Sequence, residues 1–247
     1  MTVEAHAKIN WTLEVLGVRP DGYHDLRSVV LPIPLHDTIS LEVSEAISCV
    51  MTGMPDVPPE VNLASRAAVA LREATGCRRG VRIAIEKRIP AGAGLGGGSA
   101  DAAAVLNGLN ALWELHLPKR ELCEIAARVG SDVPALTLGG AVLMEGRGEK
   151  VTPLSAVDGA RLPDPSAIVI FTPAIFASTP AVYREFRETD RGRGPNDLQP
   201  AALRLYPGIG EAIRRLEQQG LTRVTMSGSG STVYGVRSRN GAQVFLS

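Results

Sequence analysis

The chain has 247 residues, and its 26 basic and 26 acidic side chains give a formal net charge of zero at pH 7. This balance gives no electrostatic reason to expect nucleic acid or an acidic membrane surface as a partner. A composition of 45% hydrophobic and 21% charged residues is typical of a soluble globular protein with a sizeable core, built as one large domain or as two lobes.

The cysteines and the N-terminus indicate the compartment. Cys49, Cys77 and Cys123 are widely spaced, which fits neither a disulfide framework nor a metal-binding motif. The first residues lack the basic and apolar regions of a secretory signal, and the sequence contains no run of about 18 apolar residues. We therefore expect a cytoplasmic protein without a membrane segment.

The first element is an alternating run from residue 3 to residue 16, which predicts a strand. Lys8 and Asn10 are two positions apart and therefore share its polar face, which either lines a site or is solvated. The turn residues Pro20-Asp21-Gly22 are followed by Tyr23 and His24. These two side chains either pack in the core or belong to a site.

The remaining elements of the first half follow from apolar periodicity and end signals. Strands are predicted at 28–33, 38–43 and 81–89, helices at 62–75 and 118–129, and a hairpin at 137–151. In the second half we predict a strand at 167–172, a helix after Thr179-Pro180, a loop at 188–197, helical residues at 198–219 and strands at 224–226 and 232–236.

Residues 90–99 read Pro-Ala-Gly-Ala-Gly-Leu-Gly-Gly-Gly-Ser and precede an alanine-rich helical pattern that extends to about Leu112. Glycines let the backbone approach an anion closely, and a helix N-terminus attracts negative charge. The segment therefore predicts a phosphate cradle with Ser99 as the helix N-cap, the alternative being a linker or a structural turn. It lacks the lysine of a Walker A loop, and it follows a half-solvated strand rather than the doubly buried strand of a dinucleotide-binding fold.

Two further short stretches carry polar groups. Ser131 or Asp132, just after Gly130, could cap a short helix or serve in catalysis. The turn at 227–231, Ser-Gly-Ser-Gly-Ser, could line a phosphate site or simply permit a hairpin.

Four of these stretches, at 7–10, 19–24, 90–99 and 130–134, resemble in this order the motifs of the 4-diphosphocytidyl-2-C-methyl-D-erythritol kinases. That family belongs to the GHMP superfamily of galactokinase, homoserine kinase, mevalonate kinase and phosphomevalonate kinase. Residues 226–230 resemble the third superfamily motif, and the resemblance covers about residues 1–236.

The resemblance implies an α+β fold of two lobes with the active site in the cleft between them. Residues 1–152 would form an ATP-binding lobe with ribosomal protein S5 domain 2-like topology, and residues 153–247 a ferredoxin-like substrate lobe. Only residues 237–247 remain after the strand predicted at 232–236, whereas the family continues past the last motif with a helix and a closing strand. We therefore expect a shortened second lobe with an uncovered strand edge, in a monomer or a homodimer.

The resemblance also implies the reaction, which is transfer of the ATP γ-phosphate to the 2-hydroxyl of the cytidyl-methylerythritol in the non-mevalonate isoprenoid pathway. Asp132 would take the hydroxyl proton, and Lys8 would lie beside it. The residues that would face the acceptor, with Tyr183 stacked on its cytosine, are Asn10, Tyr23, His24, Thr179, Pro180 and Tyr183.

The nucleotide would lie between Asn62, at the adenine, and the glycine loop. The loop positions are Pro90, Ala91, Gly92, Ala93, Gly94, Leu95, Gly96, Gly97, Gly98, Ser99 and Ala100. The sequence contains no paired-carboxylate cage, so Mg²⁺ is expected to be held mainly by the phosphates, and no protein residue is assigned as its ligand. Ser99 or Asp101 could touch the ion directly or through water.

Two other classes of function would keep the glycine loop. A homoserine-type or mevalonate-type kinase would not need Tyr23, His24 and Tyr183 placed for a pyrimidine. A catalytically inactive nucleotide-binding relative could lose the pair formed by Lys8 and Asp132, and both residues are present.

Overall fold

The computed structural model describes residues 1–54, 57–58, 60–156 and 162–237, which form two β-sheets with helices packed on them. The first sheet has the strand order β3-β4-β2-β5-β6, with β1 paired to β2. Its strands are β1 (Thr2–Val18), β2 (His24–Ser44), β3 (Ile47–Thr52), β4 (Gly80–Glu86), β5 (Val142–Gly146) and β6 (Lys150–Pro153). The second sheet has the order β7-β9-β8 and consists of β7 (Ile168–Phe171), β8 (Thr222–Met226) and β9 (Val233–Val236).

Helices α1 to α4 precede the second sheet in the chain, and α5 to α7 lie between its strands β7 and β8. They are α1 (Leu63–Thr75), α2 (Gly97–Leu112), α3 (Lys119–Val129), α4 (Val133–Leu138), α5 (Thr179–Glu185), α6 (Gln199–Leu205) and α7 (Gly208–Gln218). In the described part of the chain, no helix combines the length and the apolar character needed to cross a membrane.

The longest strand, β2, corrects the sequence prediction of two strands at 28–33 and 38–43. It pairs with β5 over Leu26–Val30 and with β4 over Thr38–Ser44, while β1 runs along its other edge. Pro32 lies between the two segments paired to β5 and β4. A proline there removes no donor from either ladder, so it does not end the strand.

Strand β1 connects the two hydrophobic cores. Ile9 is buried in the core between the first sheet and its helices, whereas Leu13 and Val15 are buried in the core of the second sheet. The hydroxyl of buried Tyr234 on β9 donates a hydrogen bond of 3.0 Å to the carbonyl of Asn10. Any functional residue near the middle of β1 is therefore held between both halves of the protein.

Most predicted elements are confirmed, and their ends are where the sequence was misleading. The predicted helix at 62–75 begins at Leu63 with Asn62 as its N-cap, and it ends before Gly76, whose φ is 68°. Helix α2 has Gly96 (φ 70°) at its N-cap position, so Ser99 is an interior residue rather than the predicted cap. A glycine in the left-handed region starts the helix three residues earlier than the side-chain pattern indicates.

Three other predicted boundaries differ from the structure or stay open. The strand predicted at 81–89 ends at Glu86, and helix α4 (Val133–Leu138) includes the first two residues of the hairpin predicted at 137–151. The proposed lobe boundary between residues 152 and 153 stays a prediction. Residues 238–247, on which the expected shortening of the second lobe rests, lie outside the described residues.

Candidate active site

The two sheets and the loops between them enclose a cavity of about 1050 Å³. It is lined by β1, the glycine loop, the residues before α4, the start of α5 and the turn at 227–231. Every site residue predicted from the sequence lines this cavity except Leu95 and Ala100, whose side chains are buried in the first core. Those two positions can offer only their main chain to a ligand.

Lys8 lies on the floor of the cavity and is only 3% exposed. The sheet register shifts between His6 and Lys8, so the strict alternation of β1 is broken just before this side chain. Its ammonium group donates to Asn10 Oδ1 at 2.6 Å and to the Gly94 carbonyl at 3.1 Å, and it lies 3.3 Å from Asp132 Oδ2. Lys8 is therefore a fixed positive charge rather than a solvated side chain.

Asp132 provides the carboxylate of this pair. It occupies the N-cap position of α4, but within the described residues its side chain makes no capping hydrogen bond to that helix. Its side chain is 30% exposed and faces the cavity. The carboxylate is thus free to meet a ligand, which favours the catalytic interpretation of this residue over the capping one.

Asn10 links the lysine to the sheet. Its side-chain amide donates to Ser28 Oγ at 2.8 Å, and Ser28 Oγ donates to the carbonyl of Thr12 at 2.6 Å. Because its Nδ2 is used in this way, Asn10 presents its Oδ1 to Lys8. The residue is almost fully buried, so it orients Lys8 and has little surface left for the acceptor.

The glycine loop packs against the turn at 227–231. The Ser227 hydroxyl donates to the Gly94 carbonyl at 2.9 Å, and the Thr232 amide donates to the Ala93 carbonyl at 3.1 Å. Gly94 has φ 75°, and a Cβ added there would overlap the Ser227 carbonyl oxygen. Close approach of two backbones therefore requires glycine at this position.

The loop leads directly into α2, and its geometry suits a phosphate chain. The first N–H groups of a helix have no partner inside it, and within the described chain no side chain caps this end of α2. A Cβ added at Gly96 or at Gly97 would crowd Lys8 or Ile89 respectively. The bare backbone thus forms a concave surface of amides at a positive helix end.

Asn196 is a supporting residue that sequence reasoning missed. It is buried in the segment predicted only as a polar loop, and its amide donates to the carbonyls of Met226 and Gly228 at 2.8 Å each. It thereby holds the turn that contacts the glycine loop. No local sequence pattern predicts this role of Asn196, because the two carbonyls that it contacts lie about thirty residues further along the chain.

The far end of the cavity is apolar around Asn62. As the N-cap of α1, Asn62 accepts with Oδ1 from the amides of Ala64 at 2.9 Å and Ser65 at 3.3 Å. The surrounding lining consists of Met51, Met54, Val57, Val61 and Leu63. Such a wall suits a flat heterocycle, and a contact between Asn62 and adenine stays a prediction.

The opposite end carries the aromatic residues. The His24 ring lies 5.0 Å from the Tyr183 ring, centroid to centroid, and burial together with the nearby charge of Arg191 lowers the pKa of His24. Tyr23 is instead exposed, and the guanidinium of Arg147 lies over its ring at 4.2 Å. The structure therefore brings the rings of His24 and Tyr183 together, whereas the ring of Tyr23, which lines the same cavity, packs against Arg147.

Thr179 and Pro180 begin α5, which carries Tyr183. The Thr179 hydroxyl is hydrogen bonded to the Ser229 hydroxyl at 2.7 Å. This bond fixes the start of α5 to the same turn that packs on the glycine loop. The aromatic residues and the glycine loop are therefore connected through this turn.

A second buried lysine lies at the glycine loop. Lys87 Nζ contacts Asp37 Oδ2 at 2.5 Å and Asp101 Oδ2 at 2.6 Å, and all three side chains are almost completely buried. Burial raises the pKa of the Asp101 carboxyl to about 7, although the neighbouring Lys87 ammonium opposes the shift. Sequence reasoning had considered Asp101 only as a contact to magnesium and had given no role to Lys87.

Comparison with known proteins identifies the class. The GHMP kinases N terminal domain matches residues 62–140, and the GHMP kinases C terminal domain matches residues 179–245. A crystal structure of homoserine kinase from Cytophaga hutchinsonii aligns over 95% of this chain and 85% of its own, with a TM-score of 0.66 and 18% identity, which shows the shared fold alone. The protein therefore has the predicted two-lobed α+β GHMP kinase fold.

The sequence relatives are more specific. The 4-diphosphocytidyl-2-C-methyl-D-erythritol kinases of Symbiobacterium thermophilum and Geobacter metallireducens are 42% and 41% identical, over 96% of this chain and 90% and 89% of theirs. A crystal structure of 4-(cytidine 5'-diphospho)-2C-methyl-D-erythritol kinase matches with a TM-score of 0.79 and 38% identity, over 96% of this chain and 90% of that one. The chain belongs to the 4-diphosphocytidyl-2-C-methyl-D-erythritol kinase family.

The packing of Gly94 on Ser227 can be tested with Gly94→Ala. A matched control is Gly192→Ala, because Gly192 has a similar φ of 66° but nothing within 4 Å of an added Cβ. The control should lose only roughly 1–2 kcal/mol of unfolding free energy, which is the cost of holding a non-glycine residue in the left-handed conformation. Gly94→Ala should lose clearly more stability and also ATP affinity. Equal midpoints in thermal unfolding of the two variants would contradict the packing argument.

The buried Asp101 should make stability depend on pH. Its pKa is raised from an ordinary 3.8 to about 7, so the folded state holds the proton more tightly than the unfolded state does. The free energy of unfolding should therefore fall as pH rises from about 4 to about 7, by no more than about 4 kcal/mol, and then level off.

Asp101→Asn should remove this fall in the free energy of unfolding. The difference in stability between the variant and the wild type should therefore shift in favour of the variant when the pH is raised from 5 to 8. Urea unfolding at the two pH values measures the difference. Glu124→Gln, a change at an exposed residue paired with Arg120, is the control. Parallel pH profiles for wild type and Asp101→Asn would refute this account of Asp101.

Proposed function

We propose that this chain transfers the γ-phosphate of ATP to the 2-hydroxyl of 4-diphosphocytidyl-2-C-methyl-D-erythritol, in the non-mevalonate route to isoprenoid precursors, with Asp132 as the base and Lys8 as its partner. The observation that carries the assignment of roles is the contact of 3.3 Å between the buried Lys8 ammonium and the open Asp132 carboxylate. The acceptor follows from the names of the relatives.

Asp132 has the position and chemistry of a general base. Its carboxylate is the more open member of the pair and faces the cavity. Phosphoryl transfer asks the protein mainly for positioning and charge stabilisation. A hydroxyl placed against Asp132 would pass its proton to the carboxylate while its oxygen attacks phosphorus.

Lys8 stabilises negative charge at the same place. Its three N–H groups point to Asn10, Gly94 and Asp132, so the ammonium does not need to reorganise during the reaction. Such a preorganised charge in a site shielded from water stabilises charge that develops on the acceptor oxygen and on the transferred phosphoryl group.

The phosphates would lie on the glycine loop and the start of α2, where amides and the helix dipole favour negative charge. Mg²⁺, when bound with ATP, would neutralise charge on the phosphates. Ser99 and Asp101 both line the cavity here, and their oxygens are of the type that Mg²⁺ accepts. Asp101 Oδ2 is already paired with Lys87, whereas Asp101 Oδ1 has no hydrogen-bond partner among the described residues.

His24 and Tyr183 would hold the cytosine of the acceptor. Burial and the charge of Arg191 lower the pKa of His24, so its ring is neutral at pH 7 and presents both a donor and an acceptor. The adjacent Tyr183 ring offers a flat surface in the same part of the cavity. This combination suits a pyrimidine better than homoserine or mevalonate.

The catalytic pair is tested by Asp132→Asn and Lys8→Met. Each change should lower kcat by about 10²–10⁴, because each removes a group that acts on the reacting hydroxyl. ATP affinity should stay within a few-fold in Asp132→Asn, which leaves the glycine loop and its hydrogen bond from Lys8 in place, whereas Lys8→Met also removes that hydrogen bond. The double variant should lose much less than the product of the single effects, as residues that act as one unit do.

Single-turnover rates at saturating ATP measure these effects. Lys150→Met and Glu124→Gln, at exposed positions outside the cavity, are matched controls that should retain the wild-type rate. A near wild-type rate for Asp132→Asn would remove the base from the mechanism and leave Asp132 as a helix residue only.

Recognition of the cytosine is tested by Tyr183→Ala. Stacking on a base is worth about 1–3 kcal/mol, so the KM for the acceptor should rise roughly tenfold or more, whereas the KM for ATP should change little. Tyr183→Phe keeps the ring and is the matched control. Methylerythritol without its cytidine diphosphate should be a very poor substrate, and equal turnover of mevalonate or homoserine would refute the proposed acceptor.

A further inference from the structure

We propose that Glu4, His6 and His36 form a binding site for a divalent transition metal of the Zn²⁺ type on the outer face of the β1–β2 pair. These residues do not line the cavity described above. Within the described residues they form a cluster whose ligand atoms all lie within 4.8 Å of one another.

The strand register places the three side chains together. His6 and His36 are directly opposite each other in the β1–β2 ladder, and Glu4 lies two residues before His6, on the same face of β1. Glu4 Oε2 is 3.2 Å from His6 Nε2, and Glu4 Oε1 is 3.7 Å from His36 Nε2. The carboxylate therefore lies between the two imidazole rings.

Hydrogen bonds of the rings set the tautomer that a metal requires. His6 Nδ1 lies 3.2 Å from the Ile33 carbonyl, and His36 Nδ1 lies 2.9 Å from the Pro34 carbonyl. A carbonyl can only accept, so each Nδ1 must carry the hydrogen. In the neutral rings both Nε2 atoms then hold a lone pair that points towards the cluster. An imidazole that donates its other N–H to a backbone carbonyl is the usual arrangement of a metal ligand.

The irregular register of the sheet supplies these carbonyls. The ladder passes from the pair His6–His36 to the pair Lys8–Pro32, so Ile33 and Pro34 have no register partner on β1. Their carbonyls are thereby available to the imidazoles. Bulges of this kind re-aim side chains and recur beside functional sites.

The dimensions and donor types fit zinc. In a tetrahedral site with bonds of about 2.0–2.1 Å, neighbouring ligand atoms lie about 3.3 Å apart. The two nitrogen–oxygen distances, 3.2 and 3.7 Å, involve the two different oxygens of Glu4, and one ligand atom from each residue lies within 4.8 Å of the others, so small rotations of these side chains would bring the donors to this spacing. Two imidazoles and one carboxylate are a common zinc ligand set, and a fourth position would be open to water at this exposed surface.

The site would be structural in effect. It would tie β1 to β2 at the irregularity that precedes Lys8, two residues after His6 on the same strand. A metal that binds only the folded chain raises its stability according to the ratio of its concentration to Kd. Because the site lies outside the cavity, a metal bound there would not replace the ion carried by ATP.

Calorimetric titration of chelator-treated protein with ZnCl2 tests the proposal. The wild type should bind one Zn²⁺ per chain at this site, and His6→Gln, His36→Gln and Glu4→Gln should each weaken binding at least tenfold, the loss reported even for outer-shell changes. His116→Gln, at another exposed histidine, is the matched control and should bind like the wild type. Far-ultraviolet circular dichroism checks that each variant is folded.

Thermal unfolding gives an independent readout. Zinc at about 100 times its Kd should raise the Tm of the wild type and of His116→Gln by roughly 5–10 °C. The double variant His6→Gln/His36→Gln should show no such rise. Failure of the wild type to bind Zn²⁺, or unchanged binding and stabilisation in the folded double variant, would overturn the proposal.

Discussion

The buried ammonium of Lys8 is the constraint on which the active site depends. A charge taken out of water costs several kcal/mol unless it is paired and hydrogen bonded. Here the partners come from three parts of the chain: Asn10 on β1, Gly94 in the glycine loop and Asp132 before α4. Satisfying this one charge therefore fixes the relative positions of strand β1, the glycine loop and the Asp132 carboxylate.

The turn at 227–231 completes this arrangement from the second sheet. The Ser227 hydroxyl is hydrogen bonded to the backbone of Asn10 and Gly94. The Asn196 side chain stabilises the turn by donating to the carbonyls of Met226 and Gly228. A Cβ added at Gly228 would lie 3.4 Å from Lys8 Nζ. Both halves of the protein thus shield the same ammonium group, and the floor of the cavity belongs to neither half alone.

The two buried lysines have different surroundings and therefore different uses. Lys87 lies between two carboxylates that are themselves buried, whereas the single carboxylate beside Lys8 is partly open to the cavity. Asp37 also accepts from the amides of Arg88 and Ile89, so the Lys87 cluster braces the entry to the glycine loop. The Lys8 pair keeps one carboxylate available for chemistry.

The sequence by itself determined most of the local elements and the glycine-rich loop before α2, because helix periodicity, strand alternation and glycine spacing are encoded over a few residues. It also carried the family resemblance, which the relatives confirm. It did not show that β2 is one strand, since Pro32 breaks the local pattern and only the pairing partners show why the strand continues.

Local sequence patterns did not decide which polar residues meet. Lys8 and Asp132 are more than a hundred positions apart, and local sequence left each open between a structural role and a place in a site; the family resemblance placed them together, and the structure gives their contact. The cluster around Lys87 and the triad of Glu4, His6 and His36 were invisible, because each joins residues from separate segments. Local patterns report backbone preference, whereas these contacts arise from sheet register and from the need to neutralise buried charge.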